Sequence, residues 1–176
     1  MGLITRSQDG WCSTQLRHAM KKQNITPVPF GFREFVARIR LKPQATAGKT
    51  NVLEDLSALI IRPIGRGSLE QIIFRMDFLH RLQRLGMLVV NPPLSIERSV
   101  DKYQTLALLE EHWLPVPETI VTESTKEAVK AFRELGGDVI LKPVFGSRGI
   151  GSTRVSDSDV AERLFRAITF HHGVLY

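Results

Sequence analysis

Cysteine is almost missing. Cys12 is the only one in 176 residues, which excludes an internal disulfide framework and fits a reducing compartment. No apolar run approaches the roughly 20 residues of a membrane span, and no signal-peptide pattern opens the chain. A cytoplasmic protein without a membrane segment is therefore expected. Metal-ligand clusters are also lacking. His171 and His172 are adjacent, side chains so placed on a helix do not face each other, and no third ligand stands nearby, so both read as surface residues at a helix end. Acidic residues are outnumbered, 18 against 24 Lys and Arg, giving a net charge of +6. That sign suits nucleic acid, nucleotides or an acidic protein, and selects none of them.

What is present describes a globular α/β chain, 43% hydrophobic and 24% charged. Residues 2–5 read as a strand, Ser13 as the cap of a helix over 15–23, and 25–30 as a second strand held to a sheet edge by Pro27 and Pro29. This β-α-β start predicts a parallel sheet. Trp11 and Cys12 are expected to pack rather than line a cleft. Phe32, Phe35, Val36 and Ile39 have helical spacing, and Arg33, Arg38, Arg40 and Lys42 make the same stretch basic, with a loop over 42–50. Residues 56–61 read as a buried strand running into Arg62-Pro63-Ile64-Gly65-Arg66-Gly67. Arginines at a strand's C-terminal end lie where open α/β sheets bind ligands, although a solvated loop arginine explains them equally well. Ser68 caps a helix to Leu85 with a stripe of Ile72, Ile73, Met76, Leu79 and Leu82; Gly86 closes it, and a strand over 87–90 stops at Asn91-Pro92-Pro93. Together these elements make a small doubly wound parallel layer over residues 1–93.

Residues 94–176 change character. A helix over 101–113 carries Leu106, Leu109 and Trp113, a strand over 118–122 follows, and Ser124 caps a helix over 125–135. Val139-Ile140-Leu141 then runs into Lys142-Pro143, a loop containing Gly146, Gly149 and Gly151, and a second strand over 152–155. A helix from Ser156 or Asp157 with Val160, Leu164, Ala167 and Ile168 on one side ends the reading. Pro143 pushes Lys142 into extended geometry, so its ammonium projects beside backbone amides that glycine leaves accessible. A fixed cation next to free amide donors suits a nucleotide phosphate. The spacing G-x-x-G-x-G matches neither the dinucleotide fingerprint nor the Walker loop, and by itself the hairpin is also an ordinary glycine turn.

The run Lys142-Pro143-Val144-Phe145-Gly146-Ser147-Arg148-Gly149-Ile150-Gly151 resembles the phosphate-covering loop of the ATP-grasp superfamily, and most of all its RimK-like ligases. The order of Asn91-Pro92-Pro93, Asp101-Lys102, Lys142 and the glycine loop follows the RimK-like layout over nearly the whole chain. The resemblance implies that Lys102 and Lys142 contact ATP phosphate, that Gly146, Ser147, Arg148, Gly149 and Gly151 close over the nucleotide, and that Arg62 or Arg66 faces substrate. It implies an N-terminal α/β domain (1–93) followed by the first α+β subdomain of an ATP-grasp fold (94–176), truncated before the late strands that carry the Mg2+ ligands. The reaction implied phosphorylates a carboxylate of a protein or small molecule to an acyl phosphate, which an amine, commonly glutamate, then attacks. It leaves room for a homo-oligomer. A different class also fits the charge: a non-catalytic basic α/β module that binds RNA or an acidic protein through residues 33–42.

Overall fold

Short apolar runs alternating with amphipathic stretches fold as a parallel sheet carrying helices. The computed structural model describes residues 1–143 and 149–176, the side chain of His172 apart, and divides into two units, Met1–Ile96 and Glu97–Tyr176. In the first unit β1 (Gly2–Ile4), α1 (Trp11–Lys22) and β2 (Val28–Phe30) are followed by β3 (Phe35–Ala37), β4 (Ala45–Ala47), β5 (Thr50–Asn51) and the single turn α2 (Val52–Asp55). Then come β6 (Ala58–Ile61), α3 (Leu69–Arg84) and β7 (Leu88–Val90). The main sheet has the order β2-β1-β6-β7, parallel throughout. Ile4 lies opposite Phe30 on one side and Ile61 on the other, so the loops after these strands leave the sheet at one level. Gly2 begins the central strand because a Cβ there would lie 2.5 Å from Leu59 Cδ2 and 3.0 Å from the Phe30 ring.

Helix α3 starts with a reciprocal cap: the Ser68 hydroxyl accepts from the Gln71 amide at 3.4 Å, and the Gln71 side chain accepts from the Ser68 amide at 3.0 Å. Its inner face is Arg75, Met76, Phe78, Leu79 and Leu82. Ile73 is half-exposed, one residue's rotation away from Ile72, which packs against the core.

Residues 31–51 are not the helix their spacing predicts. Only Phe32–Glu34 makes a helical turn, and β3, β4 and β5 form an antiparallel sheet with Phe35 opposite Ala47. The ring of Phe35 decides it, meeting Phe30, Phe32 and Phe78 at centroid distances of 5.1, 5.8 and 4.9 Å. That packing requires Phe35 inward and Val36 outward, a period of two. Ser13 lies within α1 rather than capping it, and its hydroxyl is buried against that of Thr5. Trp11 and Cys12, expected to pack, are exposed on the first turn of α1.

Helix α4 (Pro93–Val100) spans the boundary between the units, and the second unit continues with α5 (Lys102–Glu111), α6 (Thr125–Glu134), β8 (Val139–Leu141), β9 (Thr153–Val155) and α7 (Ser158–His172). Of the strand expected over 118–122, only Thr122 pairs, with Leu175. Ala128, Phe132, Leu141, Val155, Ala161, Phe165 and Leu175 form this unit's core. On α7 the inward positions are Ala161 and Phe165, whereas Val160 is exposed. No helix among the described residues is long and apolar enough to cross a membrane.

Four helices end alike, with a residue of positive φ at Asn24, Gly86, Trp113 or Gly136. In each, the next amide reaches back five residues, as in Leu114 N–H to Leu109 O at 3.0 Å. Trp113, expected on the face of α5, occupies this left-handed position with φ 59° and is 95% exposed. A side chain costs about 1–2 kcal/mol in that conformation, so Trp113→Gly should stabilise the chain by about 1 kcal/mol without loss of packing. Gly86→Ala, with nothing within 4 Å of the added Cβ, should destabilise by a similar amount. Denaturant midpoints read by far-ultraviolet circular dichroism test both; a Trp113→Gly chain that unfolds earlier would contradict the account.

Candidate functional site

The site in the second unit is built on the β8–β9 hairpin. Its register pairs Val139 with Val155, Ile140 with Arg154 and Leu141 with Thr153. Buried Leu141 fixes β8 in the core, and Arg154 clasps Asp138 with two hydrogen bonds of 2.8 and 2.7 Å across the open end. The guanidinium holds the Asp138 carboxyl below the usual range, but both side chains are solvated, so the clasp sets geometry more than stability.

Lys142 leaves this rigid strand directly. Its amide donates to Tyr176 O at 2.8 Å, and its ammonium stands 5.9 Å from the centre of the Tyr176 ring. The Tyr176 hydroxyl donates to Lys102 O at 3.2 Å, and Lys102 Nζ donates to Pro143 O at 2.8 Å. Tyr176 therefore ties the strand carrying Lys142 to the first residue of α5, Lys102. That helix start is fixed by Asp101, whose Oδ1 accepts the Gln104 amide at 3.0 Å. The two lysines expected to act together are thus in one place. Burial, and then the Lys142 charge, lower the Lys102 pKa, while Asp101 opposes them. Burial raises the Tyr176 pKa, and Asp101 adds to the rise.

Gly149 and Gly151 both adopt positive φ, at 70° and 83°. A Cβ on Gly151 would stand 3.3 Å from the Pro143 ring, so the loop's return packs on the Lys142-Pro143 corner, while the space at Gly149 is open. Gly146, Ser147 and Arg148 lie outside the described residues. Behind β8 is a cavity of about 280 Å³, lined in part by Ile120, Phe132, Leu141, Lys142 and Tyr176. A lysine pair beside two left-handed glycines can hold an anionic group such as a phosphate. Among the described residues no three His, Cys, Asp or Glu side chains gather as a metal cage.

Arg62 and Arg66 belong to the first unit, exposed on the loop that follows β6. Sequence reasoning missed Tyr176 and Arg75. Nothing in the sequence marks Tyr176. Arg75 carried a signal: it recurs with Ile72, Leu79 and Leu82 on the inner side of α3, where a charged residue needs a reason.

No protein-family model matches the chain. It is 32% identical over 198 aligned residues to a tetrahydromethanopterin:alpha-L-glutamate ligase of Methanosarcina acetivorans, a match covering all of this chain and 59% of that protein. A glutathione synthetase of Vibrio vulnificus is 33% identical over 133 residues, 74% of this chain and 39% of its own length. The crystal structure of a RimK domain protein ATP-grasp from Sphaerobacter thermophilus superimposes with a TM-score of 0.76 at 21% identity, covering 99% of this chain and 61% of that one. The chain belongs to the ATP-grasp superfamily. It spans about three-fifths of the length of the Methanosarcina acetivorans and Methanococcus maripaludis glutamate ligases, 59% in each.

In this ATP-grasp chain two like charges share a partly dry corner, and their repulsion is measurable. Lys142→Met should raise the Lys102 pKa, yet leave it below that of a free lysine, because burial is the larger cause. Between the lowered pKa and 10.5, the ordinary value, the unfolded state binds more protons, so this group's contribution makes stability rise with pH there. Lysine 13Cε resonances followed against pH read the value, and a Lys102 unmoved by Lys142→Met would disprove the pairing.

Proposed function

We propose that the chain carries the phosphate-gripping part of an ATP-dependent carboxylate–amine ligase. The observation that carries this reading is the convergence of Lys102 and Lys142 around Tyr176, at the root of a glycine hairpin in an ATP-grasp chain. Two ammonium groups brought to one partly buried corner repel each other, and a polyanion there is attracted by both. ATP is that anion, and when bound it supplies the phosphoryl group that activates a carboxylate. Lys102 and Lys142 hold its polyphosphate oxygens; Gly146, Ser147, Arg148, Gly149 and Gly151 close over them with backbone amides and the Arg148 charge. Mg2+ accompanies the nucleotide to neutralise the transferred group. Its ligands are not assigned to residues of this chain.

The amine in this reading is glutamate, supported by relatives whose names give glutamate ligation. The acceptor is a carboxylate on a protein or small molecule, with Arg62 and Arg66 facing it. The chain's residues position and neutralise; none is needed as a nucleophile. The site of action proposed is the cytoplasm. The other reading, RNA or an acidic protein bound along residues 33–42, draws on the β3–β4 loop, where Ile39 and Leu41 are 78% and 65% exposed between Arg38, Arg40 and Lys42.

Calorimetric titration of MgATP into the full chain separates the two. A charge-assisted phosphate contact is worth about 1.5–3 kcal/mol, so Lys142→Met and Lys102→Met should each weaken binding roughly tenfold or more. Lys142→Met should be the more damaging, since Lys102 also serves the Pro143 carbonyl. Unchanged ATP affinity in both variants, with salt-sensitive RNA binding lost on Arg38→Gln and Arg40→Gln, would favour the other reading.

A further inference from the structure

The hairpin of β3 and β4 has no part in the proposed chemistry, and its register leaves one strand edge open. Arg38 N–H donates to Gln44 O at 2.8 Å, and Gly48 N–H donates to Glu34 O at 3.3 Å. With Val36 opposite Thr46, these two bonds fix the phase of the ladder, so that residues 34, 36 and 38 bond towards β4. The residues between them turn their N–H and C=O the other way. Phe35 and Ala37 therefore point theirs away from β4. The Phe35 amide is taken by Phe32 O at the end of the preceding turn. Phe35 O and both backbone groups of Ala37 remain, and among the described residues no other strand or backbone group pairs with them. The outer strand β2 of the main sheet is blunted by Pro29, whereas β3 carries no proline.

The side chains along this edge are apolar and cationic. Val36 is half-exposed on β3, and Ile39 and Leu41 stand in solvent at the hairpin tip. Residues 31–51 hold five cations, Arg33, Arg38, Arg40, Lys42 and Lys49, against a single acid, Glu34. Glu34 sits at the end of the hairpin away from the tip, where its carboxylate accepts the Gly31 amide at 2.8 Å. The next acids, Glu54 and Asp55, lie on α2 beyond β5. Arg38 braces the tip from within, donating to Pro43 O at 3.2 Å and to Thr46 Oγ1 at 3.1 Å. Arg40 and Lys42 are exposed on the tip, and Arg33 is exposed just before the strand.

We propose that β3 is a docking edge on which an extended acidic peptide adds as a fourth strand to the β3–β4–β5 sheet. The backbone of Ala37 and the Phe35 carbonyl supply the ladder; apolar side chains of the peptide meet Val36 and Ile39, and its carboxylates meet Arg33, Arg40 and Lys42. The same cations turn away a second copy of this chain, since pairing two β3 edges would set them against each other. A lipid surface offers no strand to complete the ladder. RNA readers stack bases on aromatic rings, which residues 36–43 lack. The edge does not depend on the ligase reading. On that reading the peptide is a docking segment of a protein acceptor, apart from the carboxylate that reacts.

The test uses the full 15N-labelled chain and a short synthetic peptide that alternates glutamate and valine. In the free chain the Ala37 amide should exchange with solvent faster than those of Val36 and Arg38, which bond to β4. The peptide should slow Ala37 exchange saturably, about tenfold or more. The same peptide N-methylated at every residue cannot donate to the ladder and should not bind. Arg40→Gln and Lys42→Gln should each weaken binding about threefold, as loss of a solvated charge pair does. Ala37→Pro removes the outward N–H without removing a bond to β4, and should weaken binding about tenfold. Lys142→Met should leave peptide binding unchanged, so a failure of ATP binding would refute the ligase reading and leave this edge standing. The proposal is overturned if the peptide leaves Ala37 exchange unchanged, if the N-methylated peptide binds as well, or if Arg40→Gln and Lys42→Gln together do not weaken binding. It is also overturned if oligouridylate shifts the hairpin amides at lower concentration than the peptide does, or if concentrating the chain alone protects Ala37, which would give the edge to a second copy.

Discussion

Two positive charges share a corner of the second unit, and most of that unit's architecture keeps them there. Lys142 is set by a strand whose neighbour Leu141 is buried in the core, and Lys102 by a helix start that Asp101 caps. Tyr176 bonds to the backbone of both. Burial and the Lys142 charge both disfavour the charged form of Lys102, and Asp101 opposes them. In the proposed reading a polyanion takes up this charge. Family membership and local electrostatics meet at this point, because ATP-grasp proteins are named for the nucleotide they hold.

The first unit also holds a buried charge, at Arg75. Its parallel sheet brings the loops after β1, β2 and β6 to one level, and a buried arginine organises the longest of them from within. The second unit presents side-chain ammonium groups.

The sequence was most legible where hydrophobic period and cap agreed. Helix α3 shows this, its Ser68 cap, inner Leu79 and Leu82 and closing Gly86 all appearing as read. The Lys142 hairpin was legible for a similar reason, since Pro143 and the glycines restrict what the backbone can do. Residues 31–51 were misread because Phe32, Phe35, Val36 and Ile39 satisfy a helical spacing, while the partner that selects a strand, Ala47 opposite Phe35, lies twelve residues away. Trp113 was misread because a local C-terminal turn overrode the helical stripe. Tyr176 could not have been found, since its role depends on contacts with Lys102 and Lys142, 74 residues away in the first case.

The most direct test of the central claim is the Lys102 pKa measured with and without bound nucleotide. If polyphosphate is what the two lysines await, MgATP should raise the Lys102 pKa towards or above that of a free lysine, with a matching proton uptake at alkaline pH, and adenosine should leave it where it is. A Lys102 pKa that ATP does not move, or that adenosine moves as much, would contradict the account.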